Sequence, residues 1–104
     1  MNAGIAGVDN VRKFLDLSTA HLPERFFEDG SCLTGRYQHD VGMLLWVPDD
    51  PTEHVREHGD DPQDCDDAAP EVLAVRLYAR SLGCDYILFD ADGPEDPNLP
   101  VFEW

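Results

Sequence analysis

The chain has 104 residues, 42% of them apolar, enough for one domain with a single modest core. It carries 22 acids against 7 bases, a formal charge of −15, and Lys13 is its one lysine. That balance excludes direct binding to nucleic acid or to an anionic membrane, and no apolar run approaches the roughly 18 residues of a membrane-spanning helix.

Chain order begins with "VRKFLDL", Val11 to Leu17, where apolar and polar residues alternate as in a strand. Ser18 and Thr19 end it, and Pro23 then suits the first turn of a short helix, "PERFFED", stopped at Gly30. "GMLLWVP", Gly42 to Pro48, is a continuous apolar run closed by proline, the pattern of a buried strand. The run Pro48 to Asp67 follows, and it holds nine carboxylates: Asp49, Asp50, Glu53, Glu57, Asp60, Asp61, Asp64, Asp66 and Asp67.

The strongest helix signal lies between Asp67 and Gly83. Pro70 falls in its first turn, Gly83 at its stop, and "EVLAVRLYARSL" between them is apolar except for Glu71, Arg76, Arg80 and Ser81. Arg76 and Arg80, four apart, are placed on one exposed stripe. "CDYILFD" reads as a buried strand and "PVFEW" as an edge strand. The expected fold is α+β, β-α-β-(acidic segment)-α-β-β, with helices on a small sheet. Residues 1–104 form one domain, and 49–67 an acidic excursion from it.

Charge is concentrated. Residues 49–67 hold nine acids and Arg56, and residues 85–104 hold six acids and no base, while the helix between them is nearly neutral. Repulsion of this kind opposes compaction and favours solubility. The three cysteines, Cys32, Cys65 and Cys84, form no CxxC pair, and the N-terminal stretch shows no leader pattern. A cytoplasmic protein with reduced thiols is expected, with Cys84 in the core.

Three motifs invite a catalytic reading, and each lacks its context. His54-Val55-Arg56-Glu57-His58 matches H-x-x-E-H, which places two zinc-binding histidines one turn apart beside a glutamate base. Asp50 can cap that helix, Glu53 complete a capping box, and Gly59 stop it. Only Val55 holds the helix to a core, however, so a solvated helix without metal is expected. "ILFDADGP" has the D-x-D-G of an aspartate phosphatase loop, but no lysine follows it and few residues remain. Ser18, Thr19 and His21 could meet Asp90 or Asp92, although nothing resembling an oxyanion loop accompanies them. No catalytic residue, cofactor or metal is expected.

"LSTAHL", Leu17 to Leu22, and the tail "LGCDYILFDADGPEDPNLPVFEW", Leu82 to Trp104, resemble a family of small uncharacterised proteins, a domain of unknown function, from bacterial plasmids and prophages. The resemblance implies a mobile-element context, often beside anti-restriction genes. It carries no catalytic residues, and the dense acidity of 49–67 is not part of its pattern.

Charge and resemblance together suggest a non-enzymatic inhibitor whose acidic face imitates DNA. It would occupy the basic nucleic-acid-binding surface of a bacterial defence protein, a CRISPR effector or a restriction enzyme. The contact residues are expected to be the nine carboxylates of 49–67 with Asp90, Asp92, Glu95 and Asp96; a mimic requires the two groups to converge on one face, whereas acidity that serves solubility would leave them scattered. Replacing Asp60, Asp61, Asp64, Asp66 and Asp67 with Asn is expected to leave the fold intact. An antitoxin-like or regulatory interaction module, its acidity serving solubility, is the alternative.

Overall fold

A computed structural model describes residues 11–28, 31–39, 42–61 and 65–103. Its sheet has four strands: β1 (Phe14–Ser18), β2 (Arg36–His39), β3 (Gly42–Trp46) and β4 (Tyr86–Asp90). Two α-helices, α1 (Pro51–His58) and α2 (Pro70–Ser81), lie between β3 and β4. Strand order is β1-β4-β3-β2, with β1 parallel to β4 and the other two pairings antiparallel.

The α+β class and the packing of the 70–81 helix on a sheet containing 42–46 and 86–90 agree with expectation. Leu17, Met43, Leu45, Ile87 and Phe89 alternate along their strands onto one face. There they join Val72, Val75 and Ala79 of α2, with Leu22, Phe26 and Leu33 filling the remainder of one core. Cys84 belongs to it. Gly83 terminates α2 with φ +76°, a left-handed conformation that a side chain strains, as a glycine stop requires.

Several elements differ from the sequence reading. Strand β1 starts at Phe14, not Val11. "PERFFED" forms one 3-10 turn, Glu24–Phe27, with Phe26 buried, and its expected stop, Gly30, lies outside the described residues. Strand β2 carries no strand signal in the sequence, since "RYQH" is short and polar. Arg36 on it donates to Glu28 O (2.7 Å) and to Ser31 Oγ.

"PVFEW" adds no strand: its described residues, 100–103, run irregularly. Pro94, Pro97 and Pro100 interrupt any ladder, and the tail is pinned along the turn after β1 instead. The Ser18 N–H donates to Pro94 O (2.7 Å), and the Phe102 N–H to Ala20 O (2.8 Å). Gly93 allows this close approach, since a Cβ there would stand 2.5 Å from Leu17 O.

Arg76 is the largest correction. It is 1% exposed, not on a solvent stripe. Its place in α2, four residues from Val72 and three from Ala79, puts it on the edge of the buried face.

Candidate functional site

The acidic segment leaves β3 through Val47 and Pro48 and is fixed where it leaves. Arg80 donates from its Nε to Pro48 O (3.1 Å) and from a terminal nitrogen to Val47 O (2.7 Å). Its other arm reaches Asp85 (3.2 Å). Asp50 then opens α1, its Oδ1 accepting from the Glu53 N–H (3.1 Å), with Pro51 in the first turn. Such a cap contributes about 1 kcal/mol. The Glu53 carboxylate pairs with Arg56 on the next turn. Gly59 closes the helix in a right-handed conformation, its N–H donating to Val55 O (2.7 Å).

Beneath α1 lies a buried ionic network that sequence reasoning missed. Asp67, expected as a contact carboxylate, is 0% exposed. Its Oδ1 accepts from Arg76 (2.8 Å) and from the Thr34 N–H (3.1 Å), and its Oδ2 from His54 Nε2 (2.8 Å). Burial pushes this carboxyl up, but the Arg76 charge and the bonds from Thr34, His54 and Arg76 outweigh it and hold it below the usual carboxylate range. Arg76 also donates to Trp46 O (3.1 Å) and Thr34 O (2.7 Å), so its planar fork ties β3, the loop before β2 and the 3-10 turn Cys65–Ala68 to α2. Asp66 Oδ2 accepts from the Cys32 N–H (2.7 Å). The five-residue Asn replacement is therefore expected to destabilise the chain through Asp67, contrary to the sequence reading.

His54 is accordingly a strut. Its Nε2 is committed to Asp67, and its ring stands edge-on to Trp46 at 5.8 Å. Among the described residues no three His, Cys, Asp or Glu side chains are grouped to hold a metal ion. His58 is half-exposed beside Asp61 (3.4 Å).

Of the nine carboxylates, Asp49, Asp50, Glu53, Glu57, Asp60 and Asp61 remain exposed or half-exposed, Asp66 and Asp67 are structural, and Asp64 lies outside the described residues. The second acidic group stands elsewhere. Trp46 pairs with Tyr86 while Gly42 pairs with Asp90, so Asp49 and Asp50 leave the sheet at one end and Asp90 and Asp92 at the other. The strand register thus starts the two acidic groups at opposite ends instead of bringing them together.

Within the second group, Asp90 Oδ1 accepts from the Asp92 N–H (2.9 Å) in an ordinary turn, and Glu95 is exposed. Asp96 accepts from the Tyr78 hydroxyl (2.7 Å) and from the Asn98 N–H (2.9 Å). The hydroxyl bond lowers the Asp96 carboxyl and raises the Tyr78 phenol.

β1 and β4 are neighbours, and Ser18 pairs with Asp90 in register, as a Ser-His-Asp arrangement would need. Both His21 ring nitrogens are occupied, however. Nδ1 donates to Pro100 O (2.7 Å) and Nε2 accepts from the Asp96 N–H (2.7 Å). Ser18 Oγ accepts from the Ala20 N–H (3.1 Å). These contacts pin the tail and leave no histidine nitrogen for a proton relay.

Residues 14–104 match the family described as "Family of unknown function (DUF5983) C-terminal domain". No curated protein and no solved structure matches the chain. No helix of the described residues is long and apolar enough to cross a membrane.

Proposed function

We propose that the chain, which belongs to the DUF5983 family, is a non-enzymatic inhibitor that occupies the DNA-binding cleft of another protein with the acidic face of α1. The observation that carries this reading is that Glu53 and Glu57 stand on α1, with Asp49, Asp50, Asp60 and Asp61 exposed at its two ends, and that the helix is held by Arg80 at Val47 and Pro48 and by the His54–Asp67–Arg76 network beneath it. A loose loop would lose about 1–2 kcal/mol per residue in backbone entropy on docking. A fixed helix is already ordered.

Glu53 and Glu57, four residues apart, share one face of α1. Opposite charge also steers encounter with a basic cleft. The resemblance noted in the sequence favours a bacterial defence protein, a CRISPR effector or a restriction enzyme, as the target.

The test is inhibition of DNA cleavage by a panel of such enzymes. Wild type is expected to inhibit one of them, and inhibition should weaken steeply as salt rises. The variant Asp49→Asn, Asp50→Asn, Glu53→Gln, Glu57→Gln, Asp60→Asn, Asp61→Asn keeps a residue able to cap α1. It is expected to fold as wild type and to inhibit at least ~10-fold less, a loss of about 1.4 kcal/mol in binding. Equal inhibition by the neutralised variant, or none by wild type across the panel, removes the reading.

A further inference from the structure

The face of the sheet opposite α2 is a second surface with different chemistry. Register aligns Phe14, Tyr86 and Trp46 in one cross-strand row and Asp16, Leu88, Leu44 and Tyr37 in the next. Both rows alternate with the residues that enter the core, so they lie on the other side. Phe14 is 57% and Tyr37 60% exposed, Leu44, Tyr86 and Leu88 are half-buried, and Trp46 at the end of its row is covered in part by the His54 ring of α1. An ordinary solvated sheet face is polar. This one is aromatic and aliphatic, with Asp16 exposed within it and Asp90 at its end.

We propose that this open face docks a cationic protein segment that presents an aromatic or apolar anchor between arginines or lysines. Charge selects among the occupants. A second copy stacked on the face would bring two chains of −15 together and set Asp16 and Asp90 of one against those of the other. Single-stranded nucleic acid could stack on the rings, but its phosphates would meet the same carboxylates. An Arg-flanked anchor meets both features: its ring or aliphatic group covers Leu44, Leu88 and Tyr86, and its guanidinium groups reach Asp16 and Asp90 or lie over Tyr37 and Phe14. Aromatic and Arg residues supply most of the energy in such interfaces. The surface goes beyond the α1 contact proposed above and is separable from it, because its residues are not those neutralised in the inhibition test.

The experiment is a titration of the full isotope-labelled chain, followed by amide chemical shifts, with two synthetic peptides of equal charge. One alternates Arg with Trp and the other Arg with Gly. The Arg–Trp peptide is expected to bind at least about tenfold more tightly and to shift Phe14, Asp16, Tyr37, Leu44, Tyr86 and Leu88. Phe14→Ser and Tyr37→Ser, both at exposed positions, should remove that preference while leaving Arg–Gly binding unchanged and lowering the melting temperature by only about a few degrees, the loss of two cross-strand pairs. Equal affinity for the two peptides, or shifts confined to residues 49–61, would overturn the proposal. Shifts of the face that depend on protein concentration without peptide would overturn it in favour of a second copy.

Discussion

Arg76→Met is expected to lower folding stability by roughly 3–5 kcal/mol, the usual effect of breaking a buried ion pair from one side. The substitution keeps most of the side-chain volume and removes the charge. Asp67 is then left buried without its main counterion, and Trp46 O and Thr34 O lose their donors. A domain of this size has about 5–15 kcal/mol in total, so the variant should sit near its folding threshold. Urea denaturation measures the loss as a fall in midpoint at unchanged slope. Adding Asp67→Leu should recover part of it, because replacing both partners of a buried pair with apolar groups removes the stranded charge. Full recovery is not expected, since Thr34 N–H also donates to Asp67.

The same pair sets the acid limit. Asp67 is depressed in the folded chain, so its contribution is complete above the ordinary carboxylate value of about 3.9 and is lost as pH falls toward the lower folded value. Asp85, lowered chiefly by its bond from Arg80, and Asp96, lowered by Tyr78, act in the same direction. Wild-type stability should therefore decline below about pH 4, and Arg76→Met should show a smaller decline there.

Phe89→Ala is expected to cost about 3–5 kcal/mol, through lost burial and the cavity left behind. Phe89 is on β4, the strand hydrogen-bonded to both β1 and β3, and pairs with Leu17 on one side and Met43 on the other. It is fully buried, and the Phe27 ring meets it edge-on at 5.6 Å. Neighbours held by two strand ladders cannot collapse into the space. A calorimetric scan should show melting lowered by on the order of 15 °C or more. Leu77→Ala, at a position on α2 that is 42% exposed, should change stability by no more than about 0.5 kcal/mol. Similar losses at the two positions would mean that α2 does not face the sheet as described.

What could be read from the sequence followed the strength of the local signals. "GMLLWVP" and "CDYILFD" declared strands because continuous apolar runs need cover, and Pro70 with Gly83 bounded α2 by the backbone limits of those two residues. Strand β2 carries no such signal, since an edge strand shows half its residues to water and "RYQH" reads as loop. "PVFEW" has strand-like residues, but the prolines around it and the pins from Ala20 and His21 decide its path, and those are tertiary contacts.

In the site, the Asp50 cap and the extent of α1 were legible from turn chemistry. The division of the acidic run was not, because Asp66 and Asp67 look like their neighbours until Arg76 is placed. One clue was available: Arg76 interrupts the apolar stripe of Val72, Val75 and Ala79, and a buried arginine must find an anion. Nothing local names Asp67 as that anion, nine residues away, or His54 as its second partner.

Amide hydrogen exchange of the free chain tests most directly whether the acidic segment is a fixed surface before any partner arrives. The amides of His54 to Gly59 donate within α1 or to its cap, as the His54 N–H does to Asp50 O and the Gly59 N–H to Val55 O. They should exchange far more slowly than in an unfolded chain, and His54→Ala, which cuts the strut to Asp67, should speed them while leaving the amides of β3 and β4 protected. Exchange of His54 to Gly59 at unfolded-chain rates in the wild type, at a pH and temperature where β3 and β4 stay protected, would contradict a preformed acidic surface.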